Sequence, residues 1–415
     1  MSIATLIRRE GAPIAFAFIF TFGSSVGQTF FISLHTPGIM ASLHMSPSTI
    51  AAFYGVATIA SALALPFLGR LVDRLDLAHF GIGVSAVLTV GCLILAAAIS
   101  PWMVLGGFFL LRLFGQGLMS HVALTGIARY FDRERGKALS LGGLGHSVGE
   151  GVLPLAAVGL IAFLGWRGAY VASGLAVGVV LAPLAFILIR KNVRFRTPFQ
   201  VAHVAPADAK WSGGLARQPA FWLHLPVLMM SPFAVTALVF HQGVFAAGKD
   251  LPLAVFAAAF VGFALVQAPV SLVLGPTIDR FGSRGILLVH LLPLALGAGV
   301  LATGAGALSV WIYLALAGIT NAAGALLRST YVAELAPPAR LGAAKSFVTS
   351  LMVLATAFGP ALFGALLDAG LNQNDLAWLT AGLCAAAAAP PSISAIADAF
   401  RRRRHARVDR NAHLG

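Results

Sequence analysis

Apolar stretches of about twenty residues recur from one end of this chain to the other, and they restrict its possible folds more than any other feature. A helix rises about 1.5 Å per residue, so about twenty apolar residues cross the ~30 Å hydrocarbon core of a bilayer. About twelve such stretches fall at 12–34, 48–68, 77–98, 101–127, 138–163, 168–189, 220–245, 253–274, 285–305, 308–331, 342–367 and 376–399. Strands are a poor fit. A membrane barrel alternates apolar and polar residues over about ten positions, and no such alternation is visible. Composition agrees: 59% of the 415 residues are hydrophobic and 10% are charged, with a mean hydropathy of +0.89. A soluble domain carries roughly a quarter charged residues, so lipid is the expected solvent. Proline and glycine inside the stretches do not argue against helix, because neighbouring groups re-satisfy the backbone.

Arg8 and Arg9 precede an apolar stretch too long for a signal-peptide core, so the first span is read as permanent. Cys92 and Cys384 fall inside spans and read as packed thiols. The net charge of +14 invites a nucleic-acid reading, but its distribution excludes one. Arg112 lies inside a span, and Arg167 and Lys249 lie in odd-numbered connections. The other Lys and Arg gather at the termini and around the even-numbered connections. That asymmetry predicts cytoplasmic termini and an inner-membrane location.

A polar segment, 191–219, contains Pro198, Pro206, Gly213 and Gly214 and reads as a cytoplasmic linker. It divides the chain into a six-helix bundle at 1–190 and another at 220–400, followed by a basic tail at 401–415. Arg401, Arg402, Arg403 and Arg404 suit anionic headgroups. The halves are alike. Gly69, Asp73 and Arg74 follow the second span, and Gly275, Asp279 and Arg280 follow the eighth, 206 residues on. The same offset maps Gly136 onto Gly342, Ser140 onto Ser346 and Pro154 onto Pro360. The expected fold class is an all-α membrane protein of twelve helices in two related six-helix bundles.

These residues give the chain a resemblance to the major facilitator superfamily over nearly its whole length. The loop motif, roughly G-x-x-x-D-R-x-G-R, is matched by Gly69, Asp73 and Arg74, and more fully by Gly275, Asp279, Arg280, Gly282 and Arg284. Arg112 to Gly117 looks like the family's fourth-helix motif. Gly136, Gly145 and Gly149 partly match the fifth-helix antiporter pattern, with Glu150 at its proline position. The chain is also similar, in a general way, to the monocarboxylate and oxalate/formate branch. The resemblance implies the major facilitator fold and a cavity lined by the first, fourth, seventh and tenth helices. For the loop residues it implies gating: Asp and Arg near the headgroups pair across helix ends and hold one side closed.

A charge at the bilayer centre costs about 2.5–3.5 kcal/mol on insertion scales, so Arg112 and Glu150 stand out. Both lie near the midplane on consecutive helices, where they either form a fixed ion pair or act in transport. In the second case Arg112 attracts an anion through its two-pronged fork and Glu150 carries a proton. His146 shares a face with Glu150 and is a relay candidate. Gln116, Ser24, Gln28, Asn321, His241 and Gln267 are candidate solute contacts, each with an interhelical hydrogen bond as the alternative. Arg328 reads as reaching for headgroups. His121, nine residues from Arg112, should face the other way. No phosphate loop and no metal-ligand spacing is present, so neither a cofactor nor a metal is expected. The expected function is secondary active transport, by a monomer, of a small organic and anionic solute, with protons as a candidate co-substrate. Export of amphipathic drugs or metabolites, and a sensor that binds without transporting, are the alternatives. An enzyme is not expected.

Overall fold

The computed structural model describes residues 3–131, 134–190, 192, 215–337 and 341–412. Among them the chain forms helices and short connections, with no strand. Eleven segments are long and apolar enough to cross a membrane. One of them, Arg135–Ile189, holds 55 residues, too many for one pass. It turns at Gly165, whose φ of +66° is open to glycine and strained for other residues. Two passes result, α5 (135–164) and α6 (166–189), and twelve in all. The rest are α1 (Ile3–Leu43), α2 (Pro47–Gly69), α3 (Leu77–Ala96), α4 (Pro101–Ala128), α7 (Pro219–Phe240), α8 (Leu253–Ile278), α9 (Ser283–Thr303), α10 (Ala307–Leu335), α11 (Ala344–Asp368) and α12 (Gln373–Ile393). The last continues as helix to Ala412. Most of the linker read at 191–219 lies outside the described residues.

Helix starts follow local chemistry. The Ser46 side chain accepts from the Thr49 amide, with Pro47 at the first helical position of α2. Asp76 does the same for α3, accepting from the amides of Ala78 and His79. Helix ends explain two of the misplaced charges. Arg167 donates from Nη1 to the carbonyls of Ala96 (2.9 Å) and Ala98 (2.8 Å) at the end of α3. Lys249 donates from Nζ to the carbonyl of Gly304 (2.6 Å) at the end of α9. Each cation satisfies carbonyls that a helix C-terminus leaves open, and each meets the negative end of the helix dipole. The two helix ends occupy equivalent positions in the two halves, although the cations reach them from different connections.

The halves pack on one another reciprocally: α5 of the first lies on α8 of the second, and α11 of the second on α2 of the first. Within the first half, α1 meets α5 through small residues. Thr21 Oγ1 donates to the Gly142 carbonyl at 2.6 Å, and Gly145 and Gly149 lie against Phe18, Thr21 and Ser25. Such residues let helices approach closely where lipid removes the hydrophobic drive to associate.

Contact between the halves is uneven along the bilayer normal. At the end remote from the termini they are joined. Gln242 Nε2 donates to Ser33 Oγ (2.7 Å) and to the Phe30 carbonyl (3.3 Å). The Ser48 amide donates to Asp368 Oδ2 at 3.4 Å, and Gly364 lies against the Pro47 carbonyl. At the terminal end α2 and α11 part around a cavity of about 660 Å³. Among the described residues the halves are thus joined at one face and part around this cavity at the other.

Candidate functional site

Two helices lose regular geometry at mid-depth, and they do so against each other. In α1, residues Ser25–Gly27 form a 3-10 turn, and Gln28 is extended with ψ 156°. In α4, Leu111–Met119 is π-helical. Gly27 touches the Leu111 carbonyl, the Gly115 backbone and the Gln116 amide, and a Cβ at Gly27 would overlap all three. Departures of this kind inside helices recur at functional sites. Here they bring Ser24, Gln28, Arg112 and Gln116 into one layer.

Arg112 is buried, at 5% exposure. Its guanidinium carbon lies 5.0 Å from the ring centre of Tyr54 on α2. The Tyr54 hydroxyl is 2.5 Å from Thr29 Oγ1, at the start of the second part of α1. The Tyr54 ring also meets Phe240 of α7, centroid to centroid at 4.6 Å, so Arg112 sits close to the seam between the halves. Nε and Nη1 of Arg112 are buried and have no hydrogen-bond partner. The ring contact is worth about 2 kcal/mol when desolvated. Insertion of the charge costs about 2.5–3.5 kcal/mol, and each unbonded buried N–H adds about 1–3 kcal/mol. The aromatic contact therefore does not balance the charge, and an acceptor is missing.

Glu150 is not that acceptor. The two residues form no ion pair, so of the two alternatives the fixed Arg112–Glu150 pair is not the one seen. Glu150 instead faces the other half. Gln267 of α8 donates from Nε2 to Glu150 Oε2 at 2.7 Å, and Asn321 of α10 donates from Nδ2 to Gln267 Oε1 at 3.1 Å. His146 Nε2 lies 3.7 Å from Glu150 Oε1 on the same face of α5. His146, Glu150, Gln267 and Asn321 thus form one polar chain across the seam, with Gly151 against Val261 and Ala264 beside it.

The remaining candidates separate. Ser24 donates back to the Thr21 carbonyl at 2.6 Å and is buried in α1. Gln28 and Gln116 are half-buried in the irregular layer. His241, expected at the cavity, is instead bonded through Nε2 to the Pro360 carbonyl (2.9 Å) and ties α7 to α11. Of the loop residues, Gly69 is buried beside His121, Gly275 is half-buried and Arg280 is exposed. The side chains of Asp73, Arg74 and Asp279 lie outside the described residues.

The cavity at the open face is bounded by α2, α4 and α11. Ile59, Leu63 and Val353 line it together with Arg70, His121 and Lys345, and no carboxylate does among the described residues. His121 was expected to turn away from Arg112, yet both face α2. Nine residues make about two and a half turns of α-helix, whereas the wider i→i+5 turn makes about two. Arg328, expected among headgroups, lines a smaller cavity of about 310 Å³ between α10 and α11. Sequence reasoning also missed Tyr54, whose signal was a lone phenol within an apolar span. Among the described residues no His, Cys, Asp or Glu cluster suits a metal.

Solved structures with this architecture include the nucleoside transporter NupG. Its D323A mutant superposes with a TM-score of 0.76 at 13% identity, over 92% of this chain and 99% of that one. A second NupG structure gives 0.74 at 13% identity, over 92% and 98%. A bacterial homologue of the human lysosomal transporter Spinster, in an inward-facing and unoccupied conformation, gives 0.70 at 16% identity, over 94% and 96%. Comparison with curated proteins found no match. The family model described as Major Facilitator Superfamily matches residues 16–261 and 243–374, and with twelve passes in two reciprocally packed halves this chain belongs to that superfamily of membrane transporters.

Proposed function

We propose that this secondary transporter carries a small organic anion by alternating access, with Glu150 as its proton-coupling group. One observation carries the reading: the Arg112 guanidinium is buried at the seam with two nitrogens unbonded. A carboxylate suits these donors, because the guanidinium fork donates two parallel hydrogen bonds to it. The approach is consistent in sign, since Arg70, His121 and Lys345 line the open cavity and no carboxylate among the described residues opposes them. Solute enters between α2 and α11, loses its water and meets Arg112. Neutralising that charge removes the penalty on drawing the halves together at the open face. The polar chain at Glu150 then changes with it. A proton on Glu150 cancels its charge and alters what Gln267 can donate to, which links proton movement to the seam.

The motif loops around Asp73, Arg74, Asp279 and Arg280 act as the closing contacts of the open face in the opposite state. The charge asymmetry of the connections supports cytoplasmic termini in the inner membrane. A monomer suffices, because one chain supplies both bundles, at 1–190 and 220–400. The likeness to a nucleoside transporter is one of fold, so nucleosides belong among the solutes tested.

Uptake into proteoliposomes, across a panel of monocarboxylates, nucleosides and amphipathic cations, tests this reading. Carboxylates should accumulate and Arg112→Ala should weaken their uptake by roughly 100-fold, equivalent to about 2.7 kcal/mol. Anion uptake of unaltered affinity in that variant removes the proposal. Accumulation of amphipathic cations alone would favour drug export, and binding without counterflow would favour a sensor.

A further inference from the structure

A second arginine within a span, half-buried, lies away from the Arg112 layer. Arg328 is on α10, seven residues before Leu335, so about 10 Å in from the terminal end of the helix. Its Nη1 is buried and has no hydrogen-bond partner. Ser231 of α7 has a buried hydroxyl that is likewise without a partner. Both donors converge on Gly324. Arg328 Nη1 lies 3.1 Å, and Ser231 Oγ 2.9 Å, from where a Cβ on that glycine would stand. Glycine leaves the two groups room to share one small space. The adjoining cavity of about 310 Å³ is lined by Arg328, Ser329, Lys345 and Thr349, and no carboxylate among the described residues lines it. Lys345 and Thr349 also line the larger cavity between α2 and α11, so the two spaces adjoin along α11.

A guanidinium inside a membrane span, with neither carboxylate nor backbone acceptor, is costly unless an anion accompanies it. Reaching for headgroups would relieve that cost by exposing the charged end, but here the charged end is turned between helices. Hydroxyls and a second cation surround it, which is the donor set an oxyanion requires. We propose that α7, α10 and α11 form a second oxyanion site, in which Arg328 and Lys345 supply charge and Ser231 and Thr349 supply hydroxyl donors. Its ligand is a carboxylate or phosphate group, either on a free solute or on a lipid that enters between α2 and α11. The site is separate from Arg112 and would act as the first station for an anion entering from the open face.

The test uses the full-length protein, purified in a neutral detergent. Thermal stabilisation by inorganic phosphate and by benzoate is titrated against chloride at matched ionic strength. In a second arm, the protein is taken from nanodiscs of phosphatidylcholine, with or without phosphatidylglycerol, and retained lipid is counted by native mass spectrometry. Wild type should bind in at least one arm: the first identifies a free oxyanion, the second alone a lipid headgroup. R328Q should weaken that binding about tenfold, and R328K should retain part of it. Wild type that binds in neither arm, or R328Q that binds as wild type does, overturns the site. If R328Q does not remain monodisperse, K345Q at an exposed position decides. Weakening of about threefold supports the site, and unchanged binding overturns it. The Arg112 reading is scored by carboxylate uptake in Arg112→Ala and this site by phosphate or lipid binding in R328Q, so the failure of one and the failure of the other give different patterns.

Discussion

Glu150 has an amide, not a cation, as its nearest hydrogen-bonded partner. This choice matters chemically. A carboxylate locked to a guanidinium holds its charge, whereas one bonded to Gln267 can gain a proton and still accept a hydrogen bond. Glu150→Gln keeps the acceptor oxygen and removes the exchangeable proton. In that variant, uptake driven by an imposed pH gradient should fall to the level seen without the gradient, while solute counterflow persists. Proton-driven uptake at wild-type rate would release Glu150 from coupling. Sequence made Glu150 and Arg112 visible because ionisable groups at mid-membrane are rare. Their partners were not visible. Gln267 and Asn321 reach Glu150 from another half of the molecule, and no spacing rule along one helix connects residues 117 or more positions apart. His241 misled for the opposite reason: a polar residue near a helix end looks the same whether it faces a cavity or a neighbour's carbonyl.

Helical elements were legible in number and approximate extent, since segment length alone sets how often a chain can cross. Their irregularities were not. The 3-10 turn in α1 and the π segment in α4 arise where Gly27 and Gly115 let two backbones meet, and hydropathy is blind to backbone contact. Periodicity reasoning then failed at His121, because it assumed an α turn through a segment bonded i→i+5. Gly27→Ala tests the contact directly. The added methyl meets backbone atoms that cannot move aside, so it should destabilise by about 1–3 kcal/mol, seen as a lower melting temperature, with weakened solute affinity. A neutral result would mean that α1 and α4 are looser than described. Arg167 offers a second test at this scale. Arg167→Leu removes both bonds to the end of α3, and a loss of about 2 kcal/mol is expected by thermal unfolding in detergent. Lys249→Leu at the equivalent end of α9 should act in the same direction but less, because it has one such bond.

At the scale of the molecule, the constant 206-residue offset anticipated two related halves, and the reciprocal packing of α5 on α8 and α11 on α2 carries that relation into space. What the offset did not reveal is which face is joined. Ser33 and Gln242 meet across the halves at the face remote from the termini. The native thiols Cys92 and Cys384 are buried, so a new pair can be read cleanly. Ser33→Cys with Gln242→Cys should cross-link on oxidation, arrest uptake and recover with reductant. Full activity in the cross-linked protein would show that this face need not open.

The seam at Glu150 and Gln267, with Gly151 set against Val261 and Ala264, lies midway between the joined face and the splayed one. In the alternating-access cycle proposed above, a contact there serves as a fulcrum. With about 15 Å of lever arm on either side, a tilt of roughly 15° swings each rim by ~4 Å, and in opposite senses. Neither leaf has to slide past the other, and the small side chains at the balance point roll where bulky ones would jam.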